Sequence, residues 1–386
     1  MRIALLSWES LHSIYVGGVA VHVSELARVL SRKGHEVHIF TRMGFQQFQY
    51  ECIDGVHYHR CYFDLSPNFP EEINNMCRSF VNYLFETENL IGRFDIVHAH
   101  DWLAANAMIW IKQGRRHKTV FTLHSTEYGR CGNNFAGGHS DAISHIEWAG
   151  IYHADRVITV SNTLREETLW LYDAPEEKIH VIYNGVNCEN FNGWIDSLAV
   201  RQMYDIGAHD PLVLFAGRMV YQKGPDLLME AIPRVLHQHP DAKFIFSGDG
   251  QMRGHVEEMA RKMNACQATR FLGQINGWRL NDLFKTADCI CVPSRNEPFG
   301  IVILEAWSAG KPVIASVNGG PSEFVWHDVN GYKINATPDS TRWGIETMLK
   351  DPDHAQWMGQ NGRVTAETIF SWEKIAEDTL QVYNKV

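Results

Sequence analysis

Two charged pairs in the second half of the chain carry the most explicit chemistry. Gly217-Arg218 closes the apolar run PLVLFAG, and Lys223 follows five residues later, just before Gly224-Pro225 opens a helical pattern. A guanidinium and an ammonium on a strand-to-helix turn, beside the free amides of a helix start, can neutralise a leaving diphosphate. Two solvated surface cations would show the same spacing. Further along, SRNEPFGIVILE holds Glu297 and Glu305, eight apart, on either side of a Pro-Phe-Gly turn. Carboxylates repel phosphate but accept hydrogen bonds from sugar and ribose hydroxyls. The amides around Phe299, Gly300 and Ile301 can donate to sugar or phosphate oxygens. Taken alone, one acid could equally be a loop charge and the other a helix-start charge.

The first half has its own candidates. Gly17-Gly18 follows the first apolar run and opens a helix, so backbone amides there can approach a phosphate or sugar closely. A flexible turn would look the same. The string His98-Ala-His100-Asp101-Trp102 ends a strand. His98 and His100 share a face at i,i+2, which raises the question of a metal. No third ligand stands nearby in sequence, so no metal is expected. His98 is expected to be a hydrogen-bonded core histidine. His124 ends the next strand and leads into the Gly-rich loop YGRCGNNFAGGHSD, where Arg130 and His139 are candidates for an acceptor surface. An ordinary solvated loop explains that composition too.

These residues need a scaffold that collects strand ends. RIALLSW, HEVHIFT, DIVHAH, KTVFTLH, RVITVS and KIHVIYN read as strands in the first half, and PLVLFAG, AKFIFSG, TRFLGQ, CICVPS and PVIAS in the second. Amphipathic stretches such as VAVHVSELARVLSRKG lie between them. That alternation predicts right-handed βαβ units and parallel sheets, an α/β fold whose ligands sit at the strands' carboxyl ends. The pattern pauses over 187–210. The expected organisation is a first Rossmann-like domain over 1–192 and a second over 193–370. A final helix, about 371–386, is placed beyond the second sheet.

Composition narrows the class. At 386 residues, 45% hydrophobic and 21% charged, the chain is a globular protein of about two domains. A net charge of −10 argues against a nucleic-acid partner. No apolar run reaches the roughly 20 residues that span a bilayer. MRIALLSWES turns polar too soon for a signal peptide. The eight cysteines form no CxxC pair, and Cys289 and Cys291 read as core residues of a strand, so reduced thiols in the cytoplasm are expected.

Together, Gly217-Arg218 with Lys223 and Glu297-x7-Glu305 in EPFG-IVILE-AWSAGKPVIAS resemble the donor site of the glycogen-synthase-like retaining glycosyltransferases, family GT4 and its relative GT5. The resemblance runs over nearly the whole chain, with GGVAVHVSEL, VITVSN, VIYNGVN, FSGDG and GGPSEFV in the family's order. It implies the GT-B fold, two Rossmann-like domains facing a deep cleft, with the final helix packed back on the first. It also implies Arg218 and Lys223 on the donor diphosphate, Glu297 by the sugar, Glu305 on the ribose, and the Gly17-Gly18 loop over the diphosphate. HAHDW is similar to the glycogen synthases and puts His100 on the transferred sugar. The implied activity is metal-independent retaining transfer of a hexose, glucose favoured, from ADP-glucose or UDP-glucose to an acceptor hydroxyl. The donor is a substrate, and no cofactor is expected. An α-glucan acceptor is suggested by HAHDW. GGVAVH in place of a lysine-containing KTGGL weakens that suggestion, leaving a sugar phosphate, lipid or small alcohol as the rival acceptor. A nucleotide-sugar epimerase or a phosphorylase of the same fold is a further rival.

Overall fold

A computed structural model describes residues 1–135 and 137–386. The chain folds into two compact units, Met1–Asn184 with Trp372–Val386, and Gly185–Ser371.

In the first unit the strands are β1 (Arg2–Leu6), β2 (Glu36–Arg42), β3 (Tyr50–Ile53), β4 (Val56–Cys61), β5 (Ile96–His100), β6 (Thr119–Leu123), β7 (Arg156–Thr159) and β8 (Ile179–Val181). They form one sheet in the order β3-β4-β2-β1-β5-β6-β7-β8. Every pairing is parallel except β3 with β4. β1 is apolar from Ile3 to Leu6, all fully buried, because helices cover both faces of the sheet. The helix Gly18–Arg32 shows how one such cover is specified. Ala20, Val23, Ala27 and Leu30 recur at three- and four-residue spacing and are all buried. Gly34, with φ +86°, takes the left-handed conformation just past its end.

The β3–β4 hairpin departs from the all-parallel expectation. Its turn is Asp54-Gly55, with φ +51° and +78°. Two successive positive φ values define the type I′ turn that antiparallel strands favour.

The second unit carries β9 (Leu212–Ala216), β10 (Lys243–Ser247), β11 (Thr269–Gly273), β12 (Cys289–Val292), β13 (Val313–Ser316) and β14 (Gly331–Ile334). They form a parallel sheet in the order β11-β10-β9-β12-β13-β14. Cys289 and Cys291 are buried within β12.

The units divide at Gly185, not at Gly193 as the sequence pattern suggested. Residues 185–192 are held by the second unit. Val186 donates its amide to the Phe370 carbonyl at 2.8 Å, Phe191 packs edge-on against Phe284, and Arg363 donates to Asn192 Oδ1 at 2.7 Å. The helix Trp372–Tyr383 belongs to the first unit. Its Trp372, Ile375, Ala376, Val382 and Tyr383 share a core with Val23, Leu26 and Ile96.

Each sheet has one place where strand order reverses. In the first it lies between β1 and β5, in the second between β9 and β12. Open α/β sheets leave a crevice at the carboxyl ends of such strands, and ligands bind there.

Candidate active site

In the second unit the sequence-derived residues converge on its switch point. Gly217-Arg218 leaves β9, and the segment Pro293–Gly300 leaves β12. Gly224 caps the helix Pro225–Gln238 with φ +65°. A Cβ there would meet the Pro293 carbonyl oxygen at 2.4 Å, so only glycine lets the two segments approach so closely. The EPFG segment is fixed from the other side. Glu297 donates its amide to the Asn318 carbonyl, and its own carbonyl accepts from Gly320, both at 2.9 Å.

The charges are arranged unequally. Lys223 Nζ donates to both carboxylate oxygens of Glu297 at 2.7 Å, and Ser294 Oγ donates to Glu297 Oε2 at 2.9 Å. The Glu297 side chain is 5% exposed and that of Lys223 22%. Arg218 is exposed, and its Nη2 lies 3.4 Å from Gln222 Oε1. Of the two cations, Lys223 is half of a largely buried ion pair, while Arg218 faces solvent. Nearby, Arg295 pairs with Asp226 at 2.9 and 2.5 Å and stacks on the Tyr221 ring.

Gly300 caps the helix Ile301–Ser308 with φ +96°, leaving the first amides of that helix at the end of the EPFG turn. The Phe299 side chain is turned into an aromatic cluster with Phe324 and Phe370, so only its backbone can serve a ligand. Glu305 lies in the second turn of the helix and is partly exposed. Burial of its carboxyl pushes its pKa up to about 7. A group that is half neutral at that pH has much to gain from hydroxyl donors.

In the first unit, β5 and the loop after β1 meet at the other switch point. The amides of Val16 and Gly17 donate to Glu9 Oε2 at 2.7 and 2.6 Å. The Gly17-Gly18 turn thus already holds one anion, its own Glu9 carboxylate. That corrects the expectation of free amides at Gly17, while Gly18 stays exposed at the helix start. Glu9 was not legible as a partner because nothing in its local pattern marks it.

His98 and His100 are both buried in β5. His98 is satisfied on both ring nitrogens, by Tyr383 Oη at 2.7 Å and Thr122 Oγ1 at 2.6 Å. His100 Nδ1 lies 3.2 Å from His124 Nε2, and its Nε2 has no hydrogen-bond partner among the described residues. Burial holds both imidazoles well below the ordinary histidine pKa, so His100 is neutral. His22, from the helix Gly18–Arg32, lies 5.3 Å from the His100 ring and 4.7 Å from the His124 ring.

The acceptor candidates separate. His139 is exposed at the start of the helix His139–His153. Arg130, the other candidate for the acceptor surface, is turned inward and held by carboxylates. It pairs with Glu147, reaches Glu127 at 3.1 Å and Asp101 at 3.8 Å, and donates to Ser125 Oγ at 2.7 Å. Glu147 is fully buried, and burial raises its carboxyl to about 7 against the pull of Arg130.

Two predominantly parallel α/β sheets, one with a cationic and carboxylate cluster at its switch point, match the GT-B fold of the glycosyltransferases. The family called "Glycosyltransferase Family 4" matches residues 16–190, and "Glycosyl transferases group 1" matches 198–365. A glycosyltransferase of Methanocaldococcus jannaschii is 36% identical over 99% of this chain and 98% of its own length. The chain therefore belongs to the family 4 glycosyltransferases. A glycogen synthase of Mycobacterium tuberculosis is 29% identical over 99% of this chain and 94% of its own. Among solved structures, sucrose-phosphate synthase of Thermosynechococcus elongatus superposes with a TM-score of 0.84 at 25% identity, covering 100% of this chain and 98% of that one. Anabaena HepE in complex with UDP-glucose does so with 0.81 at 19%, covering 100% of both. Among the described residues no helix is long and apolar enough to cross a membrane.

Proposed function

We propose that the protein transfers a hexose, glucose in the first instance, from a nucleotide-sugar to an acceptor hydroxyl with retention at the anomeric carbon. The observation that carries the reading is the second unit's switch point. Arg218, the Lys223–Glu297 pair and the Gly300 helix start lie on the two loops that leave β9 and β12. The relative crystallised with UDP-glucose supports a nucleotide-sugar donor.

The proposed route needs no protein nucleophile. The bond from the anomeric carbon to the phosphate oxygen breaks, and its electron pair leaves with the diphosphate. The acceptor oxygen approaches from the same face and bonds to that carbon. Its proton passes to the departing phosphate oxygen. Arg218 and Lys223 stabilise charge that grows as the diphosphate leaves, which is where preorganised groups act most strongly. Glu297 accepts from sugar hydroxyls once Lys223 turns toward phosphate. Glu305 accepts from the ribose, the amides at Phe299, Gly300 and Ile301 bind donor oxygens, and Gly18 completes the loop over the diphosphate. His100 is proposed to bond the transferred sugar. His124 and His139 are kept as acceptor contacts. Two protein cations make a metal dispensable to the transfer step. All eight cysteines are free thiols, which supports a reducing, cytoplasmic setting.

The acceptor proposed is an α-glucan or small glucoside, with the glycogen synthase relative in support. The second reading, a sugar phosphate acceptor, is favoured by D-inositol 3-phosphate glycosyltransferase of Kribbella flavida, 28% identical over 95% of this chain. A panel of ADP-, UDP- and GDP-sugars with both acceptor types, in excess EDTA, tests the proposal. Product from a hexose donor is expected. Consumption of no donor, or turnover that needs added Mg²⁺ or Mn²⁺, would overturn it.

A further inference from the structure

His22, His100 and His124 come from three separate elements of the first unit, and one nitrogen of each lies within 4.8 Å of the others. We propose that they form a binding site for one first-row transition-metal ion of borderline softness, zinc(II) above all, with a fourth position open. The argument rests on four observations in the first unit.

The first is spacing. His100 Nδ1 and His124 Nε2 face each other 3.2 Å apart. Two imidazoles on one tetrahedral zinc, each at about 2.0–2.1 Å, stand about 3.3 Å apart. An ion can thus replace the proton now shared between them, with a modest inward rotation of His22.

The second is orientation. His22 Nδ1 is engaged by Asn184 Oδ1 at 2.7 Å. With a proton on Nδ1, His22 presents the Nε2 lone pair. A hydrogen bond on the far nitrogen is how protein metal sites fix a ligating histidine.

The third is availability. His98 is committed on both ring nitrogens, whereas buried His100 has only the His124 ring against its Nδ1 among the described hydrogen bonds.

The fourth is chemistry. Three imidazoles without a coordinating carboxylate disfavour magnesium and calcium and suit zinc, copper or nickel. Asp101, whose Oδ1 accepts the His124 amide at 3.2 Å, supplies a nearby negative charge.

Occupancy would take His100 away from the sugar, so the ion acts as an inhibitor of transfer and not as its cofactor. That consequence rests on the proposed role of His100; the binding site does not.

The test uses the full chain without donor or acceptor. Metal-free protein is titrated with Co²⁺ and Zn²⁺ by absorption and calorimetry. One equivalent of Co²⁺ with the intense visible bands of a four-coordinate site is expected, displaced by Zn²⁺. Asn184→Ala should weaken binding about 10–100-fold by releasing the His22 ring. His22→Gln and His124→Asn should abolish stoichiometric binding. No binding by the wild type overturns the proposal. So does binding that survives both histidine substitutions in variants with native near-ultraviolet circular dichroism. If either variant fails to fold, anomalous diffraction from zinc-soaked wild-type crystals decides. An ion among the three rings supports the site, and an ion only elsewhere, or none, overturns it.

Discussion

Replacing Lys223 by alanine separates the two cations of the proposed donor site. Two hydrogen bonds of 2.7 Å join Nζ to Glu297, whose side chain is 5% exposed. Without Lys223 that carboxylate keeps only Ser294 Oγ as a close side-chain donor among the described contacts. Breaking one side of a fully buried pair costs about 3–5 kcal/mol. Lys223 is 22% exposed, so water can enter where Nζ stood; a cost of about 2 kcal/mol is expected. For a unit of this size each kcal/mol moves the midpoint by about 2–4 °C, so Lys223→Ala should lower it by about 6 °C. The double variant Lys223→Ala/Glu297→Gln should regain most of that loss, because no stranded charge remains. Differential scanning calorimetry on wild type, both single variants and the double variant gives the full cycle. A Lys223→Ala midpoint within about 1 °C of wild type would refute the pairing argument, and so would a double variant less stable than the single.

Arg218 is exposed, so Arg218→Ala should leave the midpoint within about 2 °C and lower kcat about 10²–10³-fold; near-wild-type turnover would remove it from the site. Glu305→Gln should weaken calorimetric binding of UDP, ADP or GDP. Because burial raises the Glu305 carboxyl to about 7, the group is mostly neutral below that pH. Wild-type affinity should therefore rise as pH increases through about 7, while the Gln variant stays flat; unchanged affinity for all three nucleotides would end the ribose role. His100→Ala should lower kcat with little change in donor affinity. A large fall in melting temperature with unchanged turnover per folded molecule would make His100 a core residue only.

Much of the architecture is legible because buried parallel strands are short, β-branched and apolar throughout. DIVHAH and CICVPS could be read as strand ends even though they carry histidine and cysteine. The β3–β4 hairpin is equally encoded, since Asp54-Gly55 is a strong turn signal, but polar residues such as Glu51, His57 and His59 interrupt its strands, so they form no apolar run. The strand β14, GYKI, has no apolar run to mark it, because Lys333 separates Tyr332 from Ile334. The candidate site was legible as residue types on strand-end loops, not as pairings. Lys223 and Glu297 are 74 residues apart, so their ion pair is a product of the strand order, which places β9 beside β12. The same holds for His22, His100 and His124. His98 drew attention by its i,i+2 spacing, yet it is bonded on both nitrogens, and the third ring arrives from a helix near the start of the chain. Glu9 at the Gly17 amide and Glu147 beneath Arg130 were hidden for the same reason: both act through folding and not through local sequence.

The central claim is that this chain transfers a hexose with retention, and the anomeric configuration of the first product reports on it most directly. Wild-type protein is incubated with UDP-glucose and ADP-glucose, both α-linked, a maltooligosaccharide acceptor and excess EDTA. Proton NMR follows the new anomeric signal before any product can mutarotate. The account predicts an α-linked product that forms without metal and falls about 10²–10³-fold in rate with Arg218→Ala. A β-linked product, or free glucose as the sole product, would contradict it.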